Sequence, residues 1–209
     1  MKKLLIVLLL LLSNTVKADY ITPSLNDLIL KADKILYGEI QCVDESVIEV
    51  KVYGSINHDS ESITILKFKE WNCGKRWNEY RVGQTSLFFL KYRHGGYRPM
   101  GGGNEGELPI VRSKVYVHTS SISPMGDTPL FERSSLTIKN FGYNNPFEGY
   151  VMKLKDFWEA TGIIKKCFKY DLNTTGKSKN IKQLCPGHAY ESIAEHNKIL
   201  SWALTELNI

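Results

Sequence analysis

The stretch Lys34 to Ser55, KILYGEIQCVDESVIEVKVYGS, is the part of the chain whose reading decides the fold. In its second half Ile48, Val50 and Val52 fall on one face and Glu49, Lys51 and Tyr53 on the other, the period of two that marks a half-buried strand. Its first half, KILYGEIQCV, is equally rich in branched and aromatic residues, and Asp44 and Glu45 supply a polar turn between the two. The pair reads as a hairpin. Downstream, SITILKFKE (62–70) is a third strand whose apolar phase changes between Ile65 and Leu66, which predicts burial on both faces or a β-bulge. TSLFFLKYR (85–93) is apolar enough for a central strand, and SKVYVH (113–118) is expected as the fifth. Between these two runs GGYRPMGGGNEGELPIV (95–111), punctuated by glycines. Five strands with glycine at the bends and a helix nearby predict a mainly β chain with some α: a small, strongly coiled, five-stranded closed barrel.

The flanks are different in kind. The first 18 residues, MKKLLIVLLLLLSNTVKA, place two lysines before an apolar run from Leu4 to Leu12 and end on small or β-branched residues, the three parts of a secretory signal peptide. Nine apolar residues fall short of the roughly 20 that cross a bilayer. Cleavage is expected after Ala18, leaving a secreted or periplasmic product with no membrane span, and no cysteine follows to carry a lipid. Ser24 after Pro23 suits the cap of a short helix bearing Leu25, Leu28 and Ile29. Residues 119–146, rich in Ser, Pro, Gly and Asn, read as an extended surface loop. Residues 147–209 read as helical: Val151, Leu154, Phe157 and Trp158 recur at helical spacing up to Gly162, and Tyr190, Ile193, Ala194, Asn197, Leu200, Leu204 and Leu207 make a longer stripe. The expected organisation is a signal peptide over 1–18, a barrel over 19–118, the loop, and a helical region packed on the barrel.

The formal charge of +5 includes Lys2, Lys3 and Lys17, and without them 24 basic residues face 22 acidic ones. That near-balance gives no general argument for nucleic acid. The densest basic segment, Lys165, Lys166, Lys169, Lys177, Lys179 and Lys182, reads as a solvated loop, with an anionic surface as the alternative partner. Four cysteines, Cys42, Cys73, Cys167 and Cys185, suggest disulfides in an exported chain. Of three possible pairings, 42 with 73 and 167 with 185 are favoured, because each then brackets a turn-rich segment within one region. A zinc site would use Cys185-Pro-Gly-His188, but no second close ligand pair exists, so neither a metal nor another cofactor is expected.

ADKILYGEI, EVKVYGS, ITILKF with its downstream cysteine, and RVGQTSLFFLKY together resemble the barrel of the tissue inhibitors of metalloproteinases and the netrin modules. The likeness is strongest to their bacterial secreted relatives, in which a Tyr-Arg-Pro segment enters a glycine-rich Asn-Glu-Gly-Glu turn, as YRPMGGGNEGELPI does here. It covers about residues 25–118. What it implies is a fold, which makes the expected barrel OB-like; the N-terminal cysteine with which the animal inhibitors chelate a protease's zinc has no counterpart at the expected mature terminus, Asp19-Tyr20.

EWNCGKRW (70–77) is the densest candidate surface. With Cys73 bridged to Cys42, Trp71 and Trp77 are expected to cover the barrel's open end as an apolar lid. The competing reading makes Lys75, Arg76 and Trp77 an exposed tip that anchors a protein or glycan, and the two combine if Trp71 points inward and Trp77 outward. Asn104, Glu105 and Glu107 on the glycine-rich turn are further binding candidates, solvated unless they hold a hard cation. No hydrolase elbow, phosphate loop, dinucleotide fingerprint or zinc-protease helix is present. The leading expectation is a non-enzymatic binding module for an extracytoplasmic protein or glycan. The alternatives are a hydrolase using Glu105 or Glu107 with His94 or His118, and a structural component of a surface assembly, which an exposed apolar patch on the C-terminal helices would favour.

Overall fold

The structure, a computed structural model, describes residues 20–57, 59–71, 74–122, 130–136, 147–171 and 181–209. The expected signal peptide and Cys73 lie outside these residues.

Helix α1 (Leu25–Lys31) opens the described chain, and Ser24 caps it as expected, its Oγ accepting from the Asp27 N–H at 3.1 Å. Strands β1 (Lys34–Val43), β2 (Val47–Ile56) and β3 (Ser62–Leu66) follow as an antiparallel meander. Strands β4 (Thr85–Arg93) and β5 (Gly96–Pro99) form a hairpin; β5 lies parallel to β3, and β4 pairs antiparallel with β1. The circuit 1-2-3-5-4-1 closes a five-stranded mixed barrel of OB type. Its interior holds Leu36, Ile40, Ile48, Val50, Ile63, Ile65, Phe88 and Leu90. The alternation legible in β2 is the one that fills it.

Closing so small a barrel requires sharply coiled strands, and the β1–β2 hairpin supplies them through register shifts after Tyr37 and after Ile40. At the first shift a Cβ on Gly38 would lie 2.1 Å from the Lys51 carbonyl oxygen, so only glycine allows that approach. The extra residue is Tyr53 of β2 at the first shift and Gln41 of β1 at the second, and the bulges therefore lie in the first hairpin and not in the third strand, which pairs regularly with β2 until it ends at Leu66.

The fifth barrel strand is Gly96–Pro99, not the expected 113–118. The latter is β7 (Lys114–His118) of a second sheet with β6 (Glu107–Val111), β8 (Glu132–Leu136) and β9 (Phe147–Lys153), in the order 4-6-7-9-8. Strand β5 pairs with the second half of β4 and β6 with the first half, so the two are one edge interrupted by Met100–Gly106. Phe89 closes the neck of that excursion, accepting from the Met100 N–H at 2.9 Å and donating to the Gly106 carbonyl at 2.8 Å. A Cβ on Gly106 would meet the Met100 carbonyl at 1.9 Å. Glycine is required there for approach, not for mobility.

Residues 119–146, read as a surface loop, hold a helical turn, α2 (Thr119–Ile122), and strand β8. Residues 123–129 and 137–146 lie outside the described residues. The C-terminal region begins with a strand, β9, before α3 (Leu154–Cys167), which runs through Gly162 instead of ending there. Next come the small hairpin β10 (Phe168–Tyr170) and β11 (Ile181–Gln183), a 3-10 turn (Gly187–Ala189), α4 (Glu191–Ala194) and α5 (Lys198–Glu206). The long stripe from Tyr190 is broken because Asn197 caps α5: its Oδ1 accepts from the Ile199 and Leu200 N–H groups, while its amide donates to Asp156 O and Glu159 Oε2 on α3.

The larger core lies outside the barrel. Leu87 and Phe89 point outward from β4 to meet Leu25 and Leu28 of α1, Val115 and Val117 of β7, Tyr150 and Met152 of β9, and Phe157, Ile164, Leu200 and Ala203 of the C-terminal helices. Cys167 and Cys185 form the expected disulfide across the β10–β11 hairpin. Cys42 is exposed on β1 and makes no disulfide among the described residues; its expected partner, Cys73, lies outside them.

Candidate functional site

The loop after β3 and the glycine-rich excursion meet at one end of the barrel, where they bring Arg76, Trp77 and Glu107 together. Arg76 donates from Nε to Glu107 Oε2 at 2.9 Å, from one terminal nitrogen to Glu107 Oε1 and to Gln84 Oε1 (3.0 Å), and from the other to the Asn78 carbonyl. Both partners of this ion pair are almost wholly withdrawn from water. The guanidinium also stacks on the rings of Trp77 and Tyr80, 4.2 and 3.8 Å from their centroids. Trp77 Nε1 donates to the Glu107 carbonyl at 2.9 Å, and its ring packs with Tyr116 and Phe147 on the outer face of the second sheet. Tyr80 accepts from the Phe68 N–H at 2.9 Å. Burial first, and the Glu107 charge second, push its hydroxyl well above the ordinary tyrosine range.

This geometry makes Trp77 the lid, as the first reading of the loop expects, and is the reverse of the arrangement with Trp71 inward and Trp77 outward. Trp77 is 3% exposed and Trp71 is 44% exposed. The loop turns Trp77 inward because its indole N–H, Arg76 and Glu107 satisfy one another only inside, and it leaves Trp71 edge-on to Tyr20 with ring centroids 5.5 Å apart. Arg76 and Trp77 are therefore corrected from an exposed anchor to a structural seal; of that tip only Lys75 faces solvent. Glu105 and Glu107 are corrected too, since both are buried and not solvated. Glu105 accepts from the Gly102 N–H at 2.7 Å and lies beside Tyr20, whose hydroxyl burial and the Glu105 charge push far up. Asn104 is half-buried, with Oδ1 lacking a hydrogen-bond partner.

The residues proposed for hydrolysis do not converge. Glu107 is committed to Arg76. His94 stands exposed in the β4–β5 turn at a φ of 51°, and His118 lies 2.5 Å from Ser120 Oγ and edge-on to Phe147. Cys185 is oxidised, so the Cys-x-x-His zinc half-site has lost its thiolate, and no metal-binding cluster of His, Cys, Asp or Glu occurs among the described residues. The C-terminal helices turn their apolar residues, including Ile199, Leu200 and Trp202, inward.

An open cleft of about 450 Å³ lies at another place on the barrel, lined by Glu45 and Ser46 of the β1–β2 turn, Leu66 to Lys69 at the exit of β3, and Arg98 of β5. Lys67 is held by the Asp44 carbonyl at 3.0 Å and by the Tyr80 ring, while Lys69 is exposed. Arg98 Nε is buried and lacks a hydrogen-bond acceptor. The sequence offered Arg98 only as part of a Tyr-Arg-Pro motif inside a segment read as connection. Recognising Gly96–Pro99 as the strand parallel to β3 would have found it. Among the described residues no helix is long and apolar enough to cross a membrane. Comparison with known proteins finds no matching family model, no matching curated protein and no matching solved structure.

Proposed function

We propose that the chain is an exported, non-enzymatic binding module of the kind found in the inhibitor and netrin barrels, and that it holds an extracytoplasmic protein or glycan in the cleft between the β1–β2 turn, the exit of β3 and Arg98. The observation that carries this reading is the open cleft lined by Lys67, Lys69 and Arg98 beside the Phe68 ring. Barrels of this topology take ligands on the face of their second and third strands and at the loop joining the first two, and the cleft occupies that position. Lys67, Lys69 and Arg98 against Glu45 favour a ligand with acidic groups, and the Phe68 ring adds an apolar contact. The Cys167–Cys185 bridge supports an oxidising compartment, in keeping with the proposed signal peptide. The resemblance to the inhibitor and netrin barrels is part of the same proposal, supported by the 1-2-3-5-4-1 circuit. Chelation of a protease's zinc is not proposed, because the expected mature terminus, Asp19-Tyr20, offers no soft ligand.

The test is capture of a partner from the native extracytoplasmic fraction, with the wild type beside Arg98→Ala and Lys69→Ala. A partner retained by the wild type and lost by both variants supports the reading. Equal retention by all three moves the binding surface elsewhere.

A further inference from the structure

A second cleft, of about 470 Å³, opens where the C-terminal end of α1, the last residues of β4 and the start of β10 meet. Strand β4 explains why it is charged. Leu87 and Phe89 point outward into the larger core, and Lys91 and Arg93 continue the same face past the point where that core ends. The disulfide-closed hairpin adds Lys169 and Tyr170, α3 adds Lys165, and α1 adds Lys31. Among the described residues five cations thus line the cleft against one carboxylate, Asp33. In a chain of formal charge +5, that is a local excess of four.

Part of this charge has an ordinary structural purpose. Lys165 Nζ donates to the Leu30 and Ala32 carbonyls at 3.0 and 2.6 Å, and Lys91 Nζ to the Lys31 carbonyl at 3.0 Å and to Asp33 at 2.5 Å, so both cover the negative end of α1. Lys31 pairs with Asp27 at 2.8 Å and lies over the Tyr170 ring. These bonds do not exhaust the site. An ammonium has three donors, so Lys165 and Lys91 each keep one, and Arg93 and Lys169 have no hydrogen bond or ion pair among the described residues.

We propose that this cleft is a second binding site, distinct from the one on the barrel face, and that it takes a phosphate group, carried by a soluble phosphate ester or by a lipid headgroup. Donors from three separate elements point into one concavity, which matches the several acceptor oxygens of a phosphate better than the two of a carboxylate. Leu30, Ala32 and Met100 give the rest of the ligand an apolar wall, and the volume falls in the range of small-molecule sites. Burial, followed by repulsion from Lys91, holds the Lys165 ammonium below its ordinary pKa, and an anion between the two relieves both.

The experiment titrates the full mature chain with inorganic phosphate and with glucose 6-phosphate by calorimetry. In a second arm it measures sedimentation with phosphatidylcholine vesicles carrying or lacking phosphatidic acid. Wild type is compared with the double variant Arg93→Ala/Lys169→Ala and with Lys51→Ala, an exposed cation on β2. Saturable binding to a phosphate probe is expected, weakened at least about tenfold in the double variant and unchanged in Lys51→Ala, since one charge-assisted hydrogen bond is worth roughly a decade in affinity. Binding of the soluble probes identifies a free phosphate ester as the source; binding confined to phosphatidic acid vesicles identifies a headgroup. Neither removed side chain has an internal partner, so the double variant should unfold at the wild-type denaturant midpoint. No saturable binding in either arm, or losses equal in Lys51→Ala and the double variant, would overturn the proposal.

Discussion

At the sealed end of the barrel Arg76 makes four hydrogen bonds, to Glu107, Gln84 and Asn78, and lies between two aromatic rings. At the helix-side cleft the Arg93 and Lys169 side chains line a concavity and make no hydrogen bond or ion pair among the described residues. The two regions draw on the same residue types, cations beside aromatics and carboxylates, with opposite consequences. Where the charges are mutually satisfied and dry they fix the loops to the barrel; where they are in excess and wet they remain available. The residues that look most like a site by composition, EWNCGKRW, form the seal. The residues that form a concavity with spare donors are scattered over four elements.

The comparison is broken most directly by uncoupling the seal. Removing one partner of a buried pair leaves an uncompensated charge in low dielectric, so Arg76→Ala should cost about 3–5 kcal/mol in urea denaturation. The double change Arg76→Met/Glu107→Leu should recover most of that loss. A loss under about 1 kcal/mol for Arg76→Ala would show that the pair is reached by water and belongs with the surface pairs.

The tryptophans test the same contrast within one loop. Trp77→Ala leaves a cavity between the barrel loop and the second sheet and strips a donor from the Glu107 carbonyl, at a cost of about 3–5 kcal/mol. Trp71→Ala, at a half-exposed ring, should cost under about 1 kcal/mol. Equal losses would return Trp71 to the role of lid.

How much of this was legible follows from the range of each interaction. The alternation of Ile48, Val50 and Val52 and the cap at Ser24 are local patterns, and they carried the barrel's first hairpin and α1. The fifth strand was not local: Gly96–Pro99 is four residues long, contains proline and glycine, and is a strand only because β3 and β4 flank it. The same holds for Trp77. Its burial depends on Tyr116 and Phe147, distant in sequence, and no pattern within residues 70–77 distinguishes it from Trp71. Arg98 and Arg93 were equally hidden, one inside the unrecognised strand and the other at the end of a strand read only for its apolar run. The Cys167–Cys185 pairing was legible because its hairpin is short-range.

The disulfide sharpens the comparison on the side of the open cleft. It closes the hairpin that presents Lys169 and Tyr170, and a closed loop of this size contributes about 3 kcal/mol in the chain-entropy account. Replacing Cys167 and Cys185 together by Ser should lower stability by about that amount. It should also weaken phosphate binding more than it affects capture of a partner at the Arg98 cleft. If the two activities fall in parallel, the loss is global and the hairpin does not specifically position Lys169.

The smallest expected effect comes from Asp33, the one carboxylate among the described residues of the basic cleft. Burial works against its charge, but hydrogen bonds from Lys91 and from the Tyr92 N–H, together with the Lys91 and Lys165 charges, outweigh it and hold the carboxyl below its usual 3.8. A carboxyl depressed on folding contributes stability that is present above the ordinary value and lost as the pH falls through the lower, folded one. Both side chains of the Asp33–Lys91 pair are more than a third exposed, at 38% and 36%, so the contribution should be about 0.2–1 kcal/mol. Asp33→Asn keeps an acceptor for the Tyr92 N–H and removes the charge. The wild type should therefore exceed the variant by under about 1 kcal/mol near neutral pH, with the gap closing as the pH falls below the ordinary carboxylate range and shrinking in about 1 M salt. Phosphate binding, in contrast, should tighten in Asp33→Asn, because the variant frees Lys91 and removes the only negative side chain among the described residues of the cleft. A gap of about 3 kcal/mol or more would place this pair with Arg76 and Glu107. Lys91 would then be a structural cation whose donors are already committed, and the open cleft would have to draw its binding from Arg93, Lys165 and Lys169 alone.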